Sequence, residues 1–201
     1  MRYKAIGFDY GGVLYGPPGG FFDTQVAELL DVSVEEYRQV YFAHNKKPIT
    51  SESIWKLVLS DLGKEDYYDR LTSLVNRLEE SKKINTDVFN LVIHLREMGY
   101  KVGLLSNNSV QKAVIMRQQK IDSYFDVFCV FAEIGYSKPA KSAFECLAKE
   151  LDVKLNQLVF IDDEPTSLEN SADCGYRPIL YTSYQRLIDQ LNKIGIQTSN
   201  E

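Results

Sequence analysis

Cysteine and histidine are scarce in this 201-residue chain, which has three of the first and two of the second. Cys129, Cys146 and Cys174 are odd in number, widely separated, and match no metal-ligand or dithiol spacing. A disulfide scaffold and a cysteine-based zinc site are therefore excluded, and the three are expected to pack as small apolar side chains in a reducing compartment. His44 and His94 have no partner of metal or triad type in the sequence, so both are assigned to structure, with His94 expected to be exposed. No apolar run approaches the roughly 18 residues that a membrane span needs, and a strand-like segment follows Met1 almost at once. A cytoplasmic protein with no membrane partner is expected.

Basic clusters are also missing. Lys and Arg number 23 against 28 Asp and Glu, a formal charge of −5, and no stretch carries the electrostatic footprint of a nucleic-acid binder. The glycines at 11, 12, 16, 19 and 20 form neither a dinucleotide fingerprint nor a phosphate loop with its Lys-Ser/Thr ending. An acidic chain of this kind binds phosphate only with the help of a local cation or a metal.

Several short, unalternated apolar runs are present, and each ends in polar residues. Tyr3 to Asp9 runs into Gly11-Gly12, Val102 to Ser106 into Asn107-Asn108, and Leu158 to Ile161 into Asp162-Asp163. Unalternated runs are expected of strands covered on both faces, and the segments between them have helical periodicity. Val88, Leu91, Val92, Leu95 and Met98 form one such stripe ahead of Gly99. Further helices are expected near 110–120 and 140–151, with strands near 126–131 and 178–181 and a terminal helix near 184–194. A single helix is expected from Pro165, which suits a first helical position, to Gly175, which suits the residue after a last one. Helices alternating with strands predict an α/β fold with a doubly wound parallel sheet.

From Gly20 to about Lys83 the pattern changes, because no strand-like run occurs there. Ser33 and Glu36 have capping-box spacing, and Ile54, Leu57, Val58 and Leu62 make an expected apolar stripe. Trp55, Tyr37, Tyr41 and Phe42 fall at helical spacings, where aromatic residues usually form core. Tyr15 to Gly20 has the composition of a hinge into this helical insertion. No internal repeat or low-complexity tract is found.

In open parallel sheets, ligands bind at the carboxyl ends of the strands, where Asp9, Ser106, Asn107, Asp162 and Asp163 are expected to stand. Carboxylates gathered in one crevice need protonation or a cation, and an all-oxygen set favours Mg²⁺. Lys138, in Tyr136-Ser137-Lys138-Pro139, is a candidate second counter-charge for phosphate. Each residue has a plainer reading. Asp9 could close an Asx turn, Ser106 and Asn107 could cap a helix, Lys138 could be a surface amine, and Asp162 to Glu164 could place charge at a helix start.

In order along the chain, Phe8-Asp9-Tyr10-Gly11-Gly12-Val13, Leu104-Leu105-Ser106-Asn107, Lys138-Pro139 and Ile161-Asp162-Asp163-Glu164 resemble the four motifs of the haloacid dehalogenase-like hydrolase superfamily. The likeness is to the subset with a small helical cap after the first strand. It implies a Rossmann-like core of residues 1–15 and 84–201, with a helical cap subdomain of residues 16–83. It also implies Mg²⁺-dependent hydrolysis of a small phosphate monoester, sugar phosphates among the candidates, through a phosphoaspartate on Asp9. Asp9, Ser106 and Lys138 would be catalytic. Gly11, Gly12, Ser106, Asn107 and Lys138 would bind phosphate, and Asp9, the Gly11 carbonyl, Asp162 and Asp163 would bind metal.

The sequence departs from that family at Gly11, where most of its phosphatases carry a second aspartate as general acid and base. Loss of that acid lowers the rate on poor leaving groups by about 10² to 10⁴. Two alternatives stay open: a catalytically weak protein that binds a phosphoryl ligand or regulates, and a 2-haloacid dehalogenase using the same aspartate without metal.

Overall fold

A computed structural model of the protein describes residues 2–45 and 49–198. Strand β1 (Ala5–Phe8) leads into four helices: α1 (Phe21–Leu30), α2 (Val34–Asn45), α3 (Ser51–Asp61) and α4 (Tyr68–Ser81). After these come α5 (Thr86–Glu97), β2 (Lys101–Ser106), α6 (Val110–Gln118), β3 (Val127–Val130), α7 (Phe131–Ile134) and α8 (Lys141–Glu150). The chain continues with β4 (Leu158–Asp162), α9 (Pro165–Leu168), α10 (Ser171–Cys174), β5 (Arg177–Leu180) and α11 (Tyr184–Lys193).

The strands form one parallel sheet in the order β3-β2-β1-β4-β5. Winding reverses between β1 and β4, so the carboxyl ends of these two neighbours flank the switch point, where α/β sheets open a crevice. Asp9 follows β1 and Asp162 ends β4, and the register brings them side by side through Phe8↔Ile161 and a bond from the Asp9 N–H to the Ile161 carbonyl at 2.9 Å.

Side chains alternate between the two faces of the sheet, as the pleat requires. Ile6, Phe8, Val102, Leu104, Val159 and Ile161 join the core under α5 and α11. Ala5, Leu105, Leu158 and Phe160 join the opposite core with Phe144 and Leu147 of α8. On that second face Gly7 and Gly103 are register partners and seat α8. A Cβ on Gly7 would meet Phe160 Cδ2 at 2.6 Å, and one on Gly103 would meet Leu147 Cδ1 at 2.7 Å.

Helices α1–α4 enclose their own apolar cluster, with Val26, Leu30, Tyr37, Val58, Leu59 and Leu71 among its fully buried members. The chain enters and leaves this layer through two passages that run side by side. Tyr15 bridges Ile84, the Gly16 N–H bonds the Lys83 carbonyl, and the Asn85 N–H bonds the Leu14 carbonyl, both at 2.9 Å.

Three expectations need correction. The single helix from Pro165 to Gly175 is broken into α9 and α10 at Glu169-Asn170. Asn170 is the cap residue of α10, with its carbonyl bonded by the Cys174 N–H at 2.9 Å and its amide reaching the Pro139 carbonyl at 3.4 Å. On α3 the buried face is Ile54, Trp55, Val58 and Leu59, while Leu57 stays 37% exposed. The indole turns the helix, since it brings far more apolar area than Leu57 and stacks on Tyr41 at 5.2 Å. His94 is half-buried rather than exposed, with Nε2 inside the protein, because α5 is covered over a wider arc than its leucine-valine stripe. The other histidine, His44, is buried and lies 2.6 Å from Asp61, a structural pairing between α2 and α3.

The glycine seat generates a test. Gly103→Val should lower unfolding stability by about 1–3 kcal/mol through overpacking against α8. Combined with Leu147→Ala, the two losses should sum to less than their separate values, as read by urea denaturation. Strict additivity would show that α8 does not rest on Gly103.

Candidate active site

All eight site residues read from the sequence line one cavity of about 250 Å³ at the carboxyl edge of the sheet: Asp9, Gly11, Gly12, Ser106, Asn107, Lys138, Asp162 and Asp163. Asp23 of α1 and Tyr41 and Phe42 of α2 line it from the helical layer. Lys138 is not a surface amine, since its side chain is 2% exposed and its Nζ lies 2.6 Å from Asp9 Oδ1 and 2.5 Å from Asp162 Oδ2.

Each group is held by neighbours that the strand ends bring within reach. The Asn107 side chain clamps the backbone of Lys138 at both ends, accepting from its N–H at 2.9 Å and donating to its carbonyl at 3.0 Å. The Lys138–Pro139 peptide is cis. Asn108 donates to the Ser106 hydroxyl at 2.6 Å, and the Glu164 N–H bonds Asp162 Oδ1 at 2.8 Å. Asp162 is thus engaged at both oxygens, whereas among the described residues Asp163 Oδ2 accepts only from the Gly19 N–H, at 2.8 Å.

Gly12 has a φ of 71°, and a Cβ there would overlap the Asp163 carboxylate. Glycine at this position therefore serves both the turn and the close approach of the acid. Gly11 differs, since a Cβ on it would meet nothing within 4 Å.

Charge is the dominant feature of the site. Asp9, Asp162 and Asp163 each bring one oxygen into a group whose members lie within 4.8 Å of one another. Burial, and then the Asp9 charge, pushes the Asp163 carboxyl up to about 7. Burial also raises Asp162 to about 6, against the opposing pull of Lys138. For Lys138 itself, burial disfavours the ammonium, but Asp162 and Asp9 outweigh it and hold its proton more tightly than usual. Three carboxylates against one ammonium leave two negative charges in excess when all are ionised. Hard oxygen donors, unsatisfied charge and close spacing suit a divalent cation such as Mg²⁺.

Arg38, Asn108 and Gly19 support the site without having been singled out from the sequence. Arg38 of α2 forks onto Glu164 at 3.1 and 2.5 Å and bonds Asp23 Oδ2 at 2.7 Å, tying the helical layer to the acidic motif after β4. Glu164, read from the sequence as helix-start charge, is one end of that tie. An isolated arginine in a helical stretch gives no sign of a partner 126 residues away.

The family model for haloacid dehalogenase-like hydrolases matches residues 3–169. Among curated proteins, bifunctional epoxide hydrolase 2 of Sus scrofa is 26% identical over 122 residues, covering 58% of this chain and 22% of that protein. The Mus musculus protein is 21% identical over 129 residues, 62% of this chain and 23% of its own. The chain thus spans less than a quarter of the length of these curated relatives. Among solved structures, a HAD-like family hydrolase from Porphyromonas gingivalis superposes with a TM-score of 0.70 at 18% identity, over 96% of this chain and 98% of that one. A HAD family enzyme from Bacteroides thetaiotaomicron, in complex with magnesium and inorganic phosphate, gives 0.66 at 20% identity, over 92% and 98%. A dehalogenase with an intermediate complex gives 0.68 at 15% identity, over 99% of both chains. At these identities the structures share the fold with this chain.

The charge imbalance generates a test. Mg²⁺ should raise the melting temperature of the wild-type protein, since it binds the folded carboxylates and not the unfolded chain. Lys138→Met should cost about 3–5 kcal/mol in EDTA by leaving buried carboxylates unpaired, and Mg²⁺ should recover part of that loss. A melting temperature indifferent to Mg²⁺ in both proteins would mean that the cluster does not hold the ion.

Proposed function

This chain belongs to the haloacid dehalogenase-like hydrolase family, and on that premise we propose that it is a Mg²⁺-dependent phosphatase acting on a small phosphate monoester through a phosphoaspartate on Asp9. The observation that carries the reading is Lys138, a buried cation gripping Asp9 and Asp162 together at the switch point. A surface-type acidic turn has no need of such an arrangement.

Lys138 holds Asp9 Oδ1, which leaves Oδ2 as the attacking atom. The Oδ2 electron pair forms the bond to phosphorus while the bond from phosphorus to the ester oxygen breaks in line. The departing alkoxide takes a proton from solvent water, and a second water then attacks phosphorus, breaking the bond to Asp9 Oδ2 and giving its proton to solvent, to release inorganic phosphate and regenerate Asp9. This replaces one difficult displacement by two easier ones. Ser106, fixed by Asn108, and Lys138, fixed by Asn107, present donors to the phosphoryl oxygens, so the chain contributes positioning and charge neutralisation. Asp9, the Gly11 carbonyl and Asp163 would hold Mg²⁺, with Asp162 direct or through water. The ion would neutralise the phosphate dianion and allow it into an acidic crevice. Helices α1–α4 act as a cap over the cavity, with Arg38–Glu164 as its tie to the core. Gly12 and Asn107 shape the phosphate cradle through backbone and loop rather than by charge.

No carboxylate stands at Gly11 to protonate the leaving alcohol, so esters with good leaving groups, such as anomeric sugar, acyl and aryl phosphates, are favoured. The same glycine supports a second reading, a weakly catalytic protein that binds a phosphoryl ligand. Beryllofluoride binding with Mg²⁺, without turnover of any ester, would favour that reading. A 2-haloacid dehalogenase is disfavoured, because Asp162 and Asp163 would repel both a carboxylate substrate and a departing halide. Chloride released from 2-chloropropionate in EDTA would restore it.

Mg²⁺-dependent phosphate release from p-nitrophenyl phosphate or acetyl phosphate should disappear in Asp9→Asn. Persistence of that activity in the variant would reject Asp9 as nucleophile. Space is open at Gly11, so Gly11→Asp should raise kcat on alkyl phosphates by about 10- to 100-fold relative to aryl phosphates. An unchanged ratio in a folded, Mg²⁺-binding variant would show that the leaving group is protonated from elsewhere.

A further inference from the structure

The two residues after β4 grip the entry to the helical layer at neighbouring points. Asp163 accepts the Gly19 N–H at 2.8 Å, and Glu164 takes the Arg38 fork at 3.1 and 2.5 Å. Gly19 and Gly20, with φ of 84° and 69°, form the hinge immediately before α1. Arg38 also lies against that hinge, since a Cβ on Gly20 would overlap its Nη2. Its Nε bonds Asp23 Oδ2 at 2.7 Å, in the first turn of α1. These contacts close a circuit. It runs from Asp163 to Gly19, along the chain to Asp23, across Arg38 to Glu164, and back to Asp163.

The circuit bears directly on the acids of the cavity. Glu164 gives its N–H to Asp162 Oδ1 at 2.8 Å while Arg38 holds its carboxylate. The Gly19 N–H takes Asp163 Oδ2, which fixes the rotation of that carboxylate and leaves Oδ1 for a cation. Arg38, Asp23 and Glu164 are half-buried, so their charges are screened less than those of a surface pair. The planar guanidinium serves both acids at once, which a lysine ammonium does not reproduce. Arg38 does not line the acidic cavity, so apart from its charge it acts on the site through Glu164 and the hinge.

We propose that Arg38 is a positioning residue for the metal site: the circuit it closes seats the helical layer on the sheet and aims Asp163 at Mg²⁺, so that closure and metal binding favour each other. Such coupling is reciprocal. The proposal rests on the Mg²⁺ reading of the carboxylates, but the latch itself is measurable without metal. Charge alone predicts the opposite sign. Removing a cation beside a cation site makes the carboxylates more attractive to Mg²⁺, so Arg38→Met would tighten binding by Coulomb's law. Loss of positioning loosens it.

The test uses the full chain and its Arg38→Met and Arg38→Lys variants. In EDTA, amide exchange over residues 19–24 is followed by mass spectrometry, with the strands of the sheet as the internal standard for folding. Exchange there should be about tenfold faster or more in Arg38→Met, the scale of one lost charge-assisted hydrogen bond, and unchanged in the strands. The Mg²⁺ dissociation constant is then measured by titration calorimetry. It should rise by about fivefold or more in Arg38→Met, with Arg38→Lys between that variant and the wild type. If Arg38→Met did not fold, Arg38→Lys would carry the same comparison. Unchanged exchange at the hinge would overturn the latch. Equal or tighter Mg²⁺ binding in Arg38→Met would overturn the positioning role and leave charge as its only influence. A wild-type protein that binds no Mg²⁺, while its hinge still responds to Arg38, would reject the metal reading and the coupling together and keep the latch.

Discussion

A single buried ammonium sits between two carboxylates at the switch point of the sheet, with a third carboxylate beside them. Lys138 is 2% exposed at its side chain and bonds Asp9 and Asp162 at 2.6 and 2.5 Å. Burying such a group is unfavourable unless its charge is matched, and here the acids at the ends of β1 and β4 match the charge and take two of its three donors. The pairing works only because β1 and β4 are parallel neighbours in register, with Phe8 opposite Ile161. Strand order, register and loop geometry are thus bound to one electrostatic requirement.

Much of the surrounding structure serves to hold that arrangement still. Asn107 fixes the Lys138 backbone from two sides, the Glu164 N–H occupies one Asp162 oxygen, and the lack of a side chain at Gly12 lets Asp163 approach. The α8 helix can close over the sheet because Gly7 and Gly103 lie side by side beneath it. On the opposite side, Arg38 reaches from α2 to Glu164, so the helical layer and the acidic motif share one ion-paired contact. Three carboxylates against one lysine leave an excess of negative charge in the site, which suits a divalent cation.

The sequence was most legible where chemistry and local pattern coincide. Short apolar runs ending in Asp9, Ser106 and Asp162 marked both the strands and the crevice, because buried parallel strands have a distinctive composition and their carboxyl ends face one way. Lys138 was legible as a motif but its burial was not, since nothing local to a Lys-Pro dipeptide shows two acids waiting above it. Arg38 was invisible for the same reason: its partners lie 15 and 126 residues away. The face of α3 was misread because Leu57 and Trp55 both fit helical spacing, and only the Tyr41 ring on α2 decides between them. The break at Asn170 depended likewise on a tertiary contact, its reach to Pro139. Local periodicity locates elements, and long-range partners decide their faces and ends.

The proposed chemistry places a covalent phosphoryl group on one particular oxygen-bearing side chain, and that bond can be caught directly. The protein would be mixed with acetyl phosphate and Mg²⁺, quenched in acid during turnover, reduced with borohydride and analysed by peptide mass spectrometry. Reduction of an acyl phosphate on Asp9 to homoserine at that position, dependent on Mg²⁺ and absent from Asp9→Asn, is the expected result. Intact Asp9 throughout, in protein that is releasing phosphate, would contradict a phosphoaspartate mechanism.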